Sequence, residues 1–438
     1  MDLKTAFNTK LTENGDLAFK STGDPVVDMV FFAPYLNKHL DVAGNLFDKV
    51  PDDTKPVLAM FVRDPRFGLK WKDLGRYLCM RCGLSPALIT TVGSYKDLWK
   101  IAYSGEAGEG YATECLMWLK EGIVSGNGLA KKWAPKFSSK KNLQYAVKFA
   151  KMLGMTKMEY GKFVKNPDTV EYKLSHKETD RIEFEKVPSL ALKKYWSRFK
   201  NGSDTSEKFG KYIGDVQAGT KKINTAVLTP YDVYKSDASS RDLLFDKLEK
   251  FKCSMMPIVD TSWSMYDKYD SYGKAIAIGH YIANCSEYLP KTVVSFSSSP
   301  RLLELGDGDY ASQIRKMYTG DCSNTDFSKV LKLLEKVSPG SLPDYFLVLT
   351  DMEFDCGSYI AREALENKWK AMGVKTKLIW WNFNSREMTA PETTANGHIF
   401  MSGYSPEMLK FLNPGFDAKS YVKELLDKYM EKLVDKLK

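Results

Sequence analysis

Met256-Pro257-Ile258-Val259 is an apolar run that ends abruptly in Asp260-Thr261-Ser262-Trp263-Ser264, and a helical pattern follows. A strand buried on both faces reads as such a run, and parallel sheets covered by helices bury their strands in this way. Open sheets of this class place ligands at the carboxyl ends of their strands. One carboxylate and two hydroxyls are thereby aimed at one point above the sheet edge. Hard divalent cations take oxygen ligands of this kind, and Mg2+ keeps several waters and needs only one or two carboxylates. The competing reading is a helix cap, with Asp260 or Ser262 capping the helix that begins near Met265.

Two further segments follow in order. Gly320-Asp321-Cys322-Ser323-Asn324-Thr325-Asp326 offers a threonine hydroxyl, and Leu347-Val348-Leu349-Thr350-Asp351 is a second buried strand ending in a carboxylate. The three segments together resemble the metal-ion-dependent adhesion site of von Willebrand A domains. The resemblance implies Mg2+ or Mn2+ held by Asp260, Ser262, Ser264, Thr325 and Asp351. Ser262 and Ser264 would ligate directly, Asp260 and Asp351 through metal-bound waters, and Thr325 directly or through water. Such sites usually carry glycine between the two serines. Here Trp263 stands there, a bulky group beside the open coordination position.

A chain of 438 residues is long enough for two or three domains with their own cores. The N-terminus, Met1-Asp2-Leu3-Lys4-Thr5, lacks the apolar run of a signal peptide. No segment approaches the ~18 apolar residues of a membrane span. Seven scattered cysteines do not make a disulfide framework, and a reducing, cytoplasmic setting is expected. Cys79-Met80-Arg81-Cys82 has metal-ligand spacing, but no second pair follows at zinc-ribbon distance, so two thiols buried in a helical region are expected.

Charge is unevenly placed. Up to Lys235 there are 38 Lys and Arg against 27 Asp and Glu, a net of +11, whereas the remainder carries a net of −2. The excess includes Lys131, Lys132, Lys136, Lys140 and Lys141, then Lys193, Lys194, Arg198 and Lys200, with Trp133, Tyr195, Trp196 and Phe199 interleaved. Lys and Arg neutralise phosphates, and aromatic faces stack unpaired bases. The alternative is a solvated basic face on helices whose aromatics are core.

The first part reads as helical, with apolar residues at three- and four-residue spacing in Asp97–Tyr103 and Asn142–Leu153. Helix pairs of unequal length are expected to form an α-solenoid of HEAT type over residues 1–235. Asn201–Gly219, rich in Gly, Ser and charge, reads as a mobile insertion. Residues 236–438 alternate. Strands are expected at Cys253–Val259, Thr292–Ser297, Tyr345–Thr350, Thr376–Phe383 and His398–Ser402. Helices are expected at Tyr272–Cys285, Phe327–Val337, Tyr359–Met372 and Pro406–Phe411, with Asp417–Lys438 as a closing helix. This alternation gives a doubly wound α/β sheet.

The chain as a whole resembles the TROVE superfamily, typified by the Ro ribonucleoprotein: a helical-repeat ring followed by a von Willebrand A domain. The resemblance runs through Leu11-Thr12-Glu13-Asn14-Gly15, Ser21-Thr22-Gly23-Asp24-Pro25, Arg63-Asp64-Pro65-Arg66-Phe67-Gly68, Val92–Leu98, Leu129–Pro135, Lys186–Ala191, Lys222–Asn224, Leu228–Pro230 and Thr350–Asp355. It is nearest to a branch spread among plants, bacteria and phages. Phe67 and Leu69 stand where the family has small and basic residues. The resemblance implies RNA as partner, small non-coding or misfolded, with single-stranded ends entering a basic hole and structured RNA on the outer surface. The candidate contacts are Arg63, Arg66, Lys131, Lys132, Lys136, Lys140, Lys193, Lys194 and Arg198.

An RNA-binding ring is therefore the first expectation. A non-enzymatic scaffold that captures a partner's carboxylate at the metal site is the second. A hydrolase ranks last: no paired carboxylates lie close in sequence, and His280 falls on the helix after the first loop rather than beside the site.

Overall fold

The apolar run that opens the argument is the centre of a six-stranded sheet. The computed structural model describes residues 3–225, 227–403 and 421–437. Its sheet contains β3 (Met255–Asp260), β4 (Thr292–Phe296), β5 (Arg301–Glu304), β6 (Tyr345–Thr350), β7 (Lys377–Asn382) and β8 (Ile399–Ser402), in the order β5-β4-β3-β6-β7-β8. Every pairing is parallel except that of β4 with β5. Every residue of β3 is buried, as its continuous apolar pattern demands. The chain leaves β3 through the helix Ser271–Cys285 toward β4, and later returns on the other side of β3 as β6. The crevice between β3 and β6 is thus a topological switch point, where such sheets bind ligands. Helix and sheet meet closely there: a Cβ on Gly279 would lie 2.6 Å from a Val259 methyl.

The first fifty residues belong to this α/β unit, which comprises Met1–Val50 and Val227–Lys438. That departs from the boundary expected at residue 235. A short hairpin, β1 (Thr9–Leu11) and β2 (Leu17–Phe19), lies outside the helical expectation for this region. The helix Pro25–Phe31 then covers the far edge of the sheet: Phe31 meets Phe400 edge-on at 5.1 Å, and Asn382 donates to the Phe31 carbonyl at 3.0 Å. The closing helix is present over Tyr421–Leu437 and buries Leu425, Tyr429 and Leu433. The helix expected at Pro406–Phe411 lies outside the described residues.

The second unit, Pro51–Ala226, is helical throughout its described elements. Helices pack in consecutive pairs: Lys55–Arg63 with Lys72–Arg81, Tyr95–Ala102 with Glu109–Val124, and Ser189–Asn201 with Ser206–Gln217. Asn201–Gly219 is not a loose insertion. Phe209, Tyr212 and Val216 share one helical face, and Phe209 packs against Trp196 at 5.1 Å and Phe184 at 5.0 Å. Polar composition on the outer face hid that spacing. Trp196 and Phe199 are likewise core, not surface aromatics. Among the described residues no helix is long and apolar enough to cross a membrane.

Candidate metal loops and a basic aromatic groove

The three predicted loops meet at the carboxyl ends of β3 and β6. Asp260 ends β3, and its carboxylate accepts the Thr350 hydroxyl from β6 at 2.6 Å and the Ser262 backbone N–H at 2.9 Å. The Ser262 and Ser264 hydroxyls lie 3.0 Å apart, and the Ser264 hydroxyl bonds the Asp351 carboxylate. The second loop is tied to both neighbours. The Thr261 hydroxyl donates to the Asp321 carbonyl at 3.2 Å, the Thr325 N–H to Asp355 at 3.1 Å, and the Asp355 N–H to the Thr325 carbonyl at 3.0 Å. Four of the five ligand candidates, Asp260, Ser262, Ser264 and Asp351, therefore converge. Thr325 is buried and joins the third loop through its backbone.

The loops bring buried carboxyls together. Asp260 and Asp351 are both fully buried. Burial, with repulsion from Asp355, raises the Asp260 carboxyl, and burial with the Asp260 charge raises Asp351. Burial and the Asp351 charge push Glu353 up to about 7. Two buried carboxylates beside two hydroxyls form an oxygen set that fits Mg2+ or Mn2+. Trp263 does not fold over the position: its side chain is 68% exposed and stacks on Tyr266 at 5.8 Å.

One supporting element has no signature of its own chemistry in the sequence. The β1–β2 turn is seated on the third loop. Thr12 donates to the Phe354 carbonyl at 2.8 Å, Asn14 to the Glu353 carbonyl at 2.7 Å, and the Glu13 N–H to the Glu353 carboxylate at 3.1 Å. Asp16 accepts the backbone N–H groups of Gly357 and Tyr359. The Leu11–Gly15 motif thus acts through the backbone of residues 353–359, and only a contact more than 300 residues away in sequence gives it meaning.

Two other clusters are structural. Glu366, Glu392 and His398 come within 4.8 Å of one another. Arg362 already pairs with Glu392, however, and His398 Nε2 bonds Glu366 at 2.9 Å while Nδ1 faces the Leu378 N–H. A cation is supplied there by the protein itself. His280 is buried on its helix, with Nε2 on Gln313 at 2.6 Å, and burial pushes it down to about 4. Cys79 is buried as expected, whereas Cys82 is half-buried; burial raises both thiols, Cys82 to about 11.

On the helical unit, the predicted basic residues separate into two groups. Arg63 is 4% exposed and pairs with Asp97 at 2.6 Å, beside Arg76 on the same carboxylate at 2.5 Å. It therefore staples helices and is not an RNA contact. Its motif makes a tight return: Asp64 accepts the Arg66 N–H at 2.8 Å, and a Cβ on Gly68 would sit 1.8 Å from the Phe61 carbonyl oxygen. Lys136 is also committed, with its ammonium on the carbonyls of Lys131 and Val164 at 2.7 and 2.6 Å, and burial lowers it to about 8. Arg66, Lys140, Lys194 and Arg198 are exposed, whereas Lys131, Lys132 and Lys193 are half-buried. Arg198 is paired with Asp204 at 2.8 Å.

Lys132 and Lys194 line a cavity of about 720 Å³ with Trp133, Lys157, Lys165 and Tyr172. A second cavity of about 690 Å³ shares Lys132, Asn166 and Thr169 with it, so the two form one groove. Ammonium groups sit over aromatic faces along it: Lys165 is 5.0 Å from the Tyr172 ring and Lys132 5.7 Å from Trp133. Sequence does not single out Lys157, Lys165 and Tyr172 because they fall between the lysine runs, Lys157 and Tyr172 on separate short helices and Lys165 in the connection between them.

Comparison with known proteins adds the following. Residues 127–268 match the domain of unknown function DUF2828, and residues 254–436 match the domain of unknown function DUF7788. An uncharacterized protein of Acanthamoeba polyphaga mimivirus is 24% identical over 351 residues, covering 69% of this chain. The chain spans 61% of that relative's length. The crystal structure of the Deinococcus radiodurans Ro (RSR) protein aligns over 92% of this chain and 94% of its own, at 14% identity and a TM-score of 0.37. At that score the alignment carries no weight in assigning a role. The first family match includes Lys132, Trp133, Lys165 and Tyr172 of the groove, and the second includes all three metal loops.

Proposed function

We propose that this protein binds RNA through the groove of its helical unit and holds a divalent cation, Mg2+ or Mn2+, at the loops of its α/β unit. The observation that carries the RNA reading is the groove itself: Lys132 over Trp133 and Lys165 over Tyr172 line it with Lys157 and Lys194, against one carboxylate, Glu171, which pairs with Lys132 at 3.6 Å. Such a cleft tracks a phosphate backbone and stacks unpaired bases. The partner is then single-stranded or partly unpaired RNA, as in small non-coding or misfolded transcripts. The finer reading, helices closing into a ring that receives RNA ends, rests on the sequence resemblance.

At the α/β unit, Ser262 and Ser264 would ligate the cation, and Asp260 and Asp351 would orient its waters. A bound cation supplies an electrophilic position for an anionic group, and Asp260 and Asp351 lose their mutual repulsion. No base or nucleophile is assigned there, and the role is binding, not catalysis. A partner's carboxylate is the second reading of this position, favoured by the oxygen-rich loops.

The test is nuclease-protected nucleic acid in the purified protein. RNA that co-purifies at low salt and dissociates as salt rises supports the reading. Protein that is free of nucleic acid at low salt, and that fails to retain added single-stranded RNA, contradicts it.

A further inference from the structure

Beside the metal loops, four aromatic residues recur at every third position: Trp263, Tyr266, Tyr269 and Tyr272. A run of this spacing in a loop is not core patterning, and the structure leaves the first three exposed while burying only Tyr272. The rings of three of them, Trp263, Tyr266 and Tyr272, form a ladder. Trp263 stacks on Tyr266 with an interplanar angle of 27°, and Tyr266 stacks on Tyr272 at 4.4 Å and 20°. Tyr318, also exposed, extends the ladder from Tyr272 at 5.7 Å. The outer end is the indole of Trp263, the most exposed of the set. A stack of near-parallel rings that ends in an open indole has room for one more ring.

The charge at the rim selects the occupant. Lys268 places its ammonium group 5.1 Å from the Tyr269 ring, as does Lys38, whose ammonium is also held by the Asn384 Oδ1 at 2.5 Å and the Ser385 carbonyl. Lys235 lies on the same side, bonded to Asp270 at 3.1 Å. Of the nearby carboxylates, Asp270 is paired with Lys235 and accepts the Tyr231 hydroxyl, and Asp267 accepts Ser271 and Asn384. Between Trp263 and Tyr272 no exposed aliphatic side chain occurs, since Met265 is buried. A protein-docking hot spot mixes aromatic anchors with apolar filling, whereas rings flanked by ammonium groups match a base and its phosphate.

We propose that this ladder is a base-stacking shelf, on which an unpaired nucleotide of RNA lays its base against Trp263 with its phosphate toward Lys268 of the same loop. The proposal rests on RNA being the ligand of this protein and adds a second, separate contact on the α/β unit. It explains why a tryptophan stands between the two serines of the first loop, where a glycine would suffice for the metal.

The test is fluorescence anisotropy of the full chain with a labelled single-stranded oligoadenylate of about 12 nucleotides and with an RNA duplex of equal length. Trp263→Ala should weaken single-strand binding roughly 5- to 150-fold, the loss of about one stacked base. Duplex binding should not change, because paired bases offer no free face. Trp263→Phe should restore most of the loss. Thermal melting should match wild type, since the side chain is exposed. Unchanged single-strand affinity in Trp263→Ala overturns the shelf, and so does an equal loss on duplex. The groove variant Lys132→Ala, Lys157→Ala, Lys165→Ala separates the two claims. If it loses binding while Trp263→Ala does not, the shelf fails and RNA binding stands. If wild type binds neither probe, both fail.

Discussion

The helical unit and the α/β unit carry charge in opposite ways. Within residues 51–226 there are 32 Lys and Arg against 19 Asp and Glu, a net of +13, and the rest of the chain holds a net of −4. In the helical unit the groove cations are spread over several helices and a connection and stay in reach of solvent. In the α/β unit the decisive charges are few, buried and convergent. A distributed surface tolerates the loss of any one residue, whereas a buried constellation does not. The contrast teaches that exposure and partnering, not charge type, decide which ionisable residues bind a ligand and which hold the fold.

Arg63 is the sharpest case, because it is basic, lies in the helical unit and is committed to the fold. Arg63→Ala should cost about 3–5 kcal/mol of stability by leaving the buried Asp97 short of a partner. It should leave the RNA affinity of the folded protein unchanged. Denaturant melts paired with RNA titration below the transition check both. A stable variant that loses RNA would move Arg63 to the binding surface and break the contrast.

Buried groups also make the α/β unit the pH-sensitive one. His280 is depressed to about 4 in the fold, against an ordinary 6.5. Its contribution is therefore fully present above pH 6.5 and is lost as pH falls toward 4, by about 3 kcal/mol in all. In urea melts between pH 7.5 and 4.5 the difference in stability between wild type and His280→Asn should show this slope, because the raised carboxyls of Asp260, Asp351 and Glu353 contribute the opposite slope equally to both proteins. Equal slopes would mean that the ring is not held neutral. The metal loops give an effect of similar size: at a hundredfold excess over Kd, Mg2+ should stabilise wild type by about 2.7 kcal/mol. Asp260→Asn should abolish that increment. A wild type whose melting ignores both Mg2+ and chelator would leave the loops as capping structure only.

A smaller effect is expected at the β1–β2 turn. Asp16→Ala removes the acceptor for two backbone N–H groups of the third loop and should cost about 1–3 kcal/mol. It should also weaken Mg2+ stabilisation, because the loop carrying Asp351 loses its anchor. An unaffected Mg2+ response would make the turn a structural cover and nothing more.

What sequence could and could not reveal follows the same division. The strands β3, β4, β6, β7 and β8 were legible because burial on both faces leaves unbroken apolar runs, and Asp260 and Asp351 were legible as the residues that end two of them. Four-residue β5 and the three-residue strands of the hairpin carry too little pattern to read. The helix Ser206–Gln217 was hidden because only one face of it is apolar and the rest is Gly, Lys and Asp. Lys136 and Arg63 looked like ligand contacts because sequence shows charge but not the carbonyl or carboxylate that a fold places beside it. Lys165 and Tyr172 could not be singled out, since their pairing across a groove is made only by tertiary packing.

The central claim is that the groove of the helical unit binds RNA. The most direct measurement is the salt dependence of single-stranded RNA affinity for wild type and for the variant Lys132→Ala, Lys157→Ala, Lys165→Ala. Wild type should lose affinity steeply as salt rises. The variant should bind more weakly and with a log–log slope shallower by roughly 0.7 for each phosphate contact removed. Identical affinity and identical slope in the two proteins would contradict the account.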